Sequence, residues 1–295
     1  MIGPKHVLTA RPRFELPKGL KHKGEPSKWA QMTRPGMQMH SFLEGAFFDD
    51  EENLWLCDVP YGRVFKVSPL GTWQLMHHID GELHSMRIAP DGRLIAVDYR
   101  HGLIELTSYD RFTVLSAGYG SEEFLGLSDM CFGSDGTLWF TDSGRTSLSD
   151  PAGRLFCLPV GGSVQLVADC VPYSNGVCLS PDGAWVYVAA TRANQVLKLS
   201  SNLPKTGKPM VGTYLQLSGG LGPDGLATNA KGLLAVAQAQ AGRAYIFTPL
   251  GDLHALVHLP KGLWTTSVAF HPQETNRLMI VDAQFGCVFD VLLPD

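Results

Sequence analysis

Several signals that would sort a protein quickly are missing from this 295-residue chain. No apolar run approaches the roughly 18 residues that suggest a membrane-spanning helix. Lysine and arginine form no block, and the formal charge is −4, which leaves little footing for a nucleic-acid partner. Cys57, Cys131, Cys157, Cys170, Cys178 and Cys287 show no CxxC or other metal-like spacing, and most sit in apolar strand patterns. There is no Gly-x-Ser-x-Gly elbow, no phosphate-binding loop and no helix-period stretch of useful length. The opening Met1-Ile2-Gly3-Pro4-Lys5-His6 lacks the apolar segment of a signal peptide. A reduced, cytoplasmic protein with no membrane partner is the expectation.

What the chain does contain is one unit repeated six times: a polar anchor, an apolar stretch, a turn and a second apolar stretch. The anchors are Glu44, His84, Ser128, Asn175, Asp224 and Thr266, spaced 40, 44, 47, 49 and 42 residues apart. The turns include Pro90-Asp91-Gly92, Ser134-Asp135-Gly136 and Pro181-Asp182-Gly183. A third β-rich run follows, opened by glycine in five units (Gly62, Gly102, Gly153, Gly242 and Gly286). Fourth runs lie at 73–76, 112–115, 164–167, 214–217 and 255–259. Four strands per unit at this period predict an all-β, six-bladed propeller. Residues 1–295 form one domain on this reading, because a closed ring cannot be halved and keep its core. The sixth unit ends after its third strand. Residues 6–16 are expected to complete the last blade, closing the ring and covering its edges. Residues 18–37, rich in Pro, Gly, Lys and polar side chains, read as a long surface loop, and residues 118–126 as a second one.

The anchors hold equivalent places, so they should meet around one axis. Glu44, Asn175 and Asp224 offer two carboxylates and an amide oxygen, a set that suits a hard cation such as Ca²⁺. No cysteine or pair of histidines stands on the ring, which argues against a zinc-type site. The plain alternative is a set of polar residues lining a wet channel. The residues after the anchors (Gly45, Ser85, Asp129, Gly176, Gly225 and Ser267) are mostly small, as a crowded central wall requires. His84, Met86, Met130, Tyr173, Trp264, Thr265 and Thr266 are candidates for the tunnel mouth, with packing as the alternative for each. Asp58, Asp98, Asp142 and Asp282 close second strands, one strand farther out, and are expected to cap loops or orient ligands.

Phe42-Leu43-Glu44-Gly45, the run from Ser174-Asn175-Gly176 to Ser180-Pro181-Asp182-Gly183, and Gly222-Pro223-Asp224-Gly225 resemble three hallmark segments of one family. That family is the senescence marker protein / gluconolactonase / luciferin-regenerating enzyme family, and the resemblance spans about residues 38–291. It implies a six-bladed propeller with one divalent metal in its tunnel, Ca²⁺ first and Zn²⁺, Mn²⁺ or Mg²⁺ as alternatives. It implies Glu44, Asn175 and Asp224 as metal ligands, and Asp224 as base or nucleophile. Where the family usually has Asn-Asp, this chain has Ser128-Asp129. Ser128 could coordinate, a water could fill the gap, or Asp129 could turn inward. Sugar-lactone members tend to carry an arginine just before that pair, and this chain has Leu125-Gly126-Leu127. The resulting expectation is a metal-dependent hydrolase of a lactone less polar than a sugar acid lactone. Asp224 and His84 are its catalytic candidates, and Ser128, Asp129, Met130, Tyr173, Trp264 and Thr266 are set to bind a small-molecule substrate. Other carbonyl chemistry on the same scaffold, or a non-catalytic calcium-binding protein, are the alternatives.

Overall fold

Each repeat folds into an antiparallel sheet whose strands are neighbours in chain order. The computed structural model describes residues 3–294. Met1 and Ile2 of the expected leaderless start, and Asp295 at the end of the sixth unit, lie outside the described residues. The inner strands are Leu43–Phe48, Leu83–Ile88, Leu127–Phe132, Ser174–Leu179, Gly222–Thr228 and Thr265–Phe270. The Asp-Gly turns behave as their chemistry requires. Gly92, Gly136 and Gly183 have φ of 84°, 81° and 69°, where a side chain is strained. In all three, Asp91, Asp135 and Asp182 accept the backbone N–H two residues on, at 3.2, 2.9 and 3.1 Å.

The apolar core lies between blades rather than along the axis. Leu43, Leu56 and Phe65 of the first blade pack against Val281 and Val288 of the sixth. Leu103 of the second packs with Met130, Phe140 and Phe156 of the third. Since face-to-face burial satisfies the apolar side chains, the axis is left to polar ones.

The ring closes as expected in one part and differently in another. Arg11–Glu15 pairs antiparallel with Cys287–Leu292 and supplies the outer strand of the last blade. His6–Thr9, assigned to that same strand from sequence, instead runs parallel to Leu253–His258 as a fifth strand of the fifth blade. The crossing falls at Ala10, which is buried and donates its N–H to His258 O at 2.9 Å. The N-terminal segment therefore straps two blades together.

Residues 18–37 are not loop throughout. Lys28–Thr33 is a helix, capped by Ser27, which accepts the Ala30 N–H at 3.2 Å. Trp29 and Ala30 are buried against Phe42, Val59 and Ala283. Six residues are too few to write a helical period into the sequence. Residues 118–126 form a short ribbon, Gly118–Tyr119 against Glu122–Glu123. Its Phe124 packs on the Phe140 and Phe156 rings and its Glu122 bonds Arg154, so it is moored to the third blade. Among the described residues no helix is long and apolar enough to cross a membrane.

Candidate active site

Every inner strand slips its register with the second strand at or beside its anchor. The shifts fall between Glu44 and Phe47, Leu83 and Ser85, Leu127 and Met130, Ser174 and Val177, Pro223 and Leu226, and Thr265 and Ser267. A bulge re-aims side chains and can turn two successive ones to the same side. Ser128 and Asp129 both line the centre for this reason, as do Thr266 and Ser267. The small residues after the anchors also have a cause. A Cβ on Gly176 would stand 2.2 Å from Asp224 O, and one on Gly225 would stand 2.8 Å from Thr266 O. Adjacent inner strands approach too closely for any side chain there.

All six anchors line one chamber of about 10 Å³, room for a single water-sized or ion-sized sphere. Glu44, His84, Ser128, Asn175 and Asp224 also line a larger cavity of about 420 Å³. Its walls include Trp29, Phe42, Tyr99, Tyr173 and Trp264.

Within this ring the polar contacts are sparse. His84 Nδ1 lies 3.0 Å from Glu44 Oε2, and Nε2 is buried without a partner. Burial disfavours a charged His84 ring, but the Glu44 carboxylate, with Asp98 and Glu82 behind it, raises its pKa above the ordinary value. Ser128 Oγ donates to Asn175 Oδ1 at 2.8 Å. The Asp224 carboxyl is pushed well above its usual range, by burial first and then by the carboxylates of Glu44 and Asp129, with a hydrogen bond from Asn175 opposing. Two or more nearby carboxylates cannot all ionise cheaply in a buried site.

The remaining expected residues divide. Tyr173 and Trp264 line the large cavity. Tyr173 takes a positive φ of 61°, and its hydroxyl pKa is raised by burial and by Glu44 and Asp224. Asp129 accepts the Met130 N–H at 2.8 Å and the Val177 N–H at 3.1 Å, with Arg87 3.7 Å away, and it faces only the small chamber. Thr266 reaches that chamber too, and its Oγ donates to Leu43 O at 2.7 Å, tying the sixth blade to the first. Met130 and Met86 are corrections: both are fully buried in inter-blade core clusters and line neither space. Downstream of the bulge their side chains face the neighbouring sheet.

The second-strand aspartates cap loops. Asp58 accepts the Phe42 N–H, Asp98 the Glu82 N–H and Asp142 the Gly126 N–H, at 2.6, 2.6 and 2.8 Å. Sequence reasoning missed Trp29, Tyr99, Arg145, Arg192 and Gln240, which all line the large cavity. Four of them follow second strands, the end to which those strands return, so that position was a usable signal. Trp29 left none.

Among the described residues no group of three or more His, Cys, Asp or Glu side chains is arranged to hold a metal. A cation on the ring must therefore draw on the Asn175 amide and the Ser128 hydroxyl besides Glu44 and Asp224. Those donors are all oxygens, as a hard cation asks.

Residues 42–284 match the SMP-30/Gluconolactonase/LRE-like region. The chain belongs to the SMP-30/gluconolactonase/LRE-like family. Lactonase drp35 of Staphylococcus haemolyticus is 28% identical over 269 residues, covering 85% of this chain and 80% of that one. A gluconolactonase from Xanthomonas campestris superposes with a TM-score of 0.74 at 20% identity, covering 99% of both chains. A calcium-binding protein, regucalcin, from Agrobacterium tumefaciens gives 0.71 at 19% identity, covering 98% of this chain and 95% of its own. The structural likenesses establish the propeller fold. Membership of the family, with its lactonase relatives, supports a hydrolase that acts on lactones.

Proposed function

We propose that this member of the SMP-30/gluconolactonase/LRE-like family opens a lactone with the help of one divalent cation on the anchor ring, Ca²⁺ first among the candidates. The observation that carries this reading is the meeting of the Glu44 and Asp224 carboxylates with the Asn175 amide and the Ser128 hydroxyl at one ion-sized chamber. Burying carboxylates together is costly without a cation or a task. Glu44, Asp224, Asn175 and Ser128 are the residues that would hold the ion. When bound, it supplies polarisation of the acyl oxygen.

Asp224 is the base of the reaction. It stands where both spaces meet and withdraws a proton from the attacking water. Glu44 holds the doubly protonated His84 ring through Nδ1, and Nε2 gives its own proton to the ring oxygen as the acyl C–O bond breaks; after product leaves, Asp224 releases the proton it took from water and His84 takes one up from solvent. Water adds across that bond, and the product is a hydroxy acid. Trp29, Phe42 and Trp264 give the otherwise polar wall one aromatic patch, which favours a substrate with an apolar face and so one less polar than a sugar acid lactone. We take residues 1–295 as one domain of a cytoplasmic protein, in keeping with its six free cysteines.

Proton release from a panel of lactones, apolar and sugar-derived, tests this reading. Turnover of apolar lactones that stops on chelation and returns with Ca²⁺ is the expected result. No turnover by protein shown to be metal-loaded would overturn the hydrolase reading, and turnover indifferent to chelator would remove the cation from it.

A further inference from the structure

The large cavity carries an aromatic patch of Trp29, Phe42 and Trp264 on an otherwise polar wall, and it is acidic where it meets the small chamber and basic at its rim. Arg145 and Arg192 both line it, and both are solvent-exposed. Arg145 belongs to the link after Leu138–Asp142, and Arg192 to the link after Trp185–Ala190. One short turn ties these links together. The Tyr173 N–H donates to Thr146 Oγ at 2.9 Å, and the Arg192 N–H donates to Pro172 O at 3.2 Å. Thr146 is Arg145's neighbour, so the two arginines flank residues 172–173. The Arg192 guanidinium lies over the Tyr173 ring, 5.5 Å from its centre. Arg145 hydrogen-bonds the Tyr99 side chain and feels Glu82 at longer range.

Among the described residues neither arginine makes an ion pair. Arg63, Arg87, Arg93, Arg100, Arg154 and Arg277 do, each with an aspartate or glutamate. A guanidinium held over an aromatic ring keeps its edge donors free for a planar anion. Glu44 and Asp224 balance the charge of one divalent cation and leave no surplus positive charge at the inner end, so the unpaired cationic groups for an anion are the two arginines at the rim. A cavity of about 420 Å³ holds a ligand long enough to reach both ends.

We infer that the substrate is an anionic, amphipathic lactone: its ring lies against Asp224 and His84, an aryl or similarly apolar body lies against Trp29, Phe42 and Trp264, and a carboxylate on that body binds Arg145 and Arg192. This rests on the lactonase reading for the ring end only. The rim selects the carboxylate whatever the chemistry below.

The test compares γ-(para-carboxyphenyl)-γ-lactone with its para-carboxamide, which has the same shape without the charge. The wild-type protein is expected to prefer the acid in kcat/KM by about tenfold or more, the worth of charge-assisted hydrogen bonds. The double variant Arg145→Met/Arg192→Met should bring that ratio near unity. Arg93→Met, which breaks an exposed ion pair away from the cavity, should leave it unchanged. Melting curves report whether each variant folds. Equal turnover of acid and amide by wild type overturns the inference and leaves the lactonase reading standing. If neither lactone is hydrolysed, calorimetry with the corresponding lactam acid and lactam amide decides. Preferential binding of the acid, lost in the double variant, upholds the rim site while the lactonase reading falls; equal binding overturns the rim site.

Discussion

Two rings of carboxylates stand at the same end of the propeller, one strand apart, and the fold treats them in opposite ways. Asp58, Asp98 and Asp142 pair across from Leu43, Leu83 and Leu127, so they sit level with the anchors. These outer carboxylates are well supplied with donors. Asp58 has the Phe42 N–H and Arg63 Nε at 2.6 and 2.7 Å; Asp142 has the Gly126 N–H and Arg154 Nε, both at 2.8 Å. Asp98 has three backbone N–H groups. Burial still lifts the Asp58 carboxyl, with Arg63 and the Phe42 N–H opposing it. The two anchor carboxylates of the inner ring have far less, Glu44 having His84 and Asp224 having Asn175, whereas Asp129 beside them is supplied by the Met130 and Val177 N–H groups. A buried polar group with its partners supplied is structure, and one left short of them at a cavity is a place for chemistry. The difference between the rings is the clearest sign of where this protein works.

Four substitutions probe that difference. Asp224→Asn should cost the most, roughly 10⁴-fold in kcat for the best lactone of the panel, by removing the base. The melting temperature of the metal-free protein at pH 7 should hold or rise, because a buried carboxyl crowded by Glu44 penalises the fold when ionised. Retained turnover would erase the functional status of the inner ring. Asp142→Ala attacks the outer ring and should cost about 3 kcal/mol in urea unfolding, since Arg154 Nε and the Gly126 N–H are left buried without their acceptor while Glu122 holds only the other side of the guanidinium. A loss under about 1 kcal/mol would mean that the outer carboxylates are not structural. His84→Gln should lower kcat about 100-fold with little change in KM. A change within threefold would remove His84 from proton transfer.

Asp282 gives the smallest and sharpest test, because it belongs to the outer ring yet is short of donors. Its Oδ1 is buried without a partner, and burial pushes its pKa up to about 6 against the pull of nearby backbone N–H groups. The folded state thus holds this proton to about pH 6, and the unfolded chain loses it near pH 4. Between these values the folded state binds more protons, so raising the pH removes stability, by up to about 3 kcal/mol. Asp282→Asn should flatten that part of the pH profile in urea unfolding. An unchanged slope would place Asp282 with its fully satisfied neighbours.

Much of the fold was legible because strands and turns write their geometry locally. Alternation set the strand faces, Asp-Gly turns set the hairpins, and equal positions in six units set the anchors on one axis. The errors share a cause. Met130 was set at the tunnel mouth by its address near the Ser128 anchor, and the bulge beside Ser128 turns it into the core between blades. Residues 6–9 were assigned to the sixth blade, and an apolar-alternating strand can dock on any open edge, here that of the fifth. Trp29 lies on a helix held in place by the propeller surface beneath it rather than by its own periodicity.

The amino-acid sequence alone determined the repeat, the fold class, the family resemblance and the six residues that meet at the axis. Those properties depend on short-range spacing, which a linear chain carries explicitly. Tertiary structure alone decided which carboxylates are satisfied, which methionines are core, and which aromatic and arginine side chains form the cavity wall. These depend on distances between links from different blades and on the water that their packing excludes. Burial and charge proximity are properties of the closed ring, and they separate Asp142 from Asp224 although both are aspartates on strands of the same repeat.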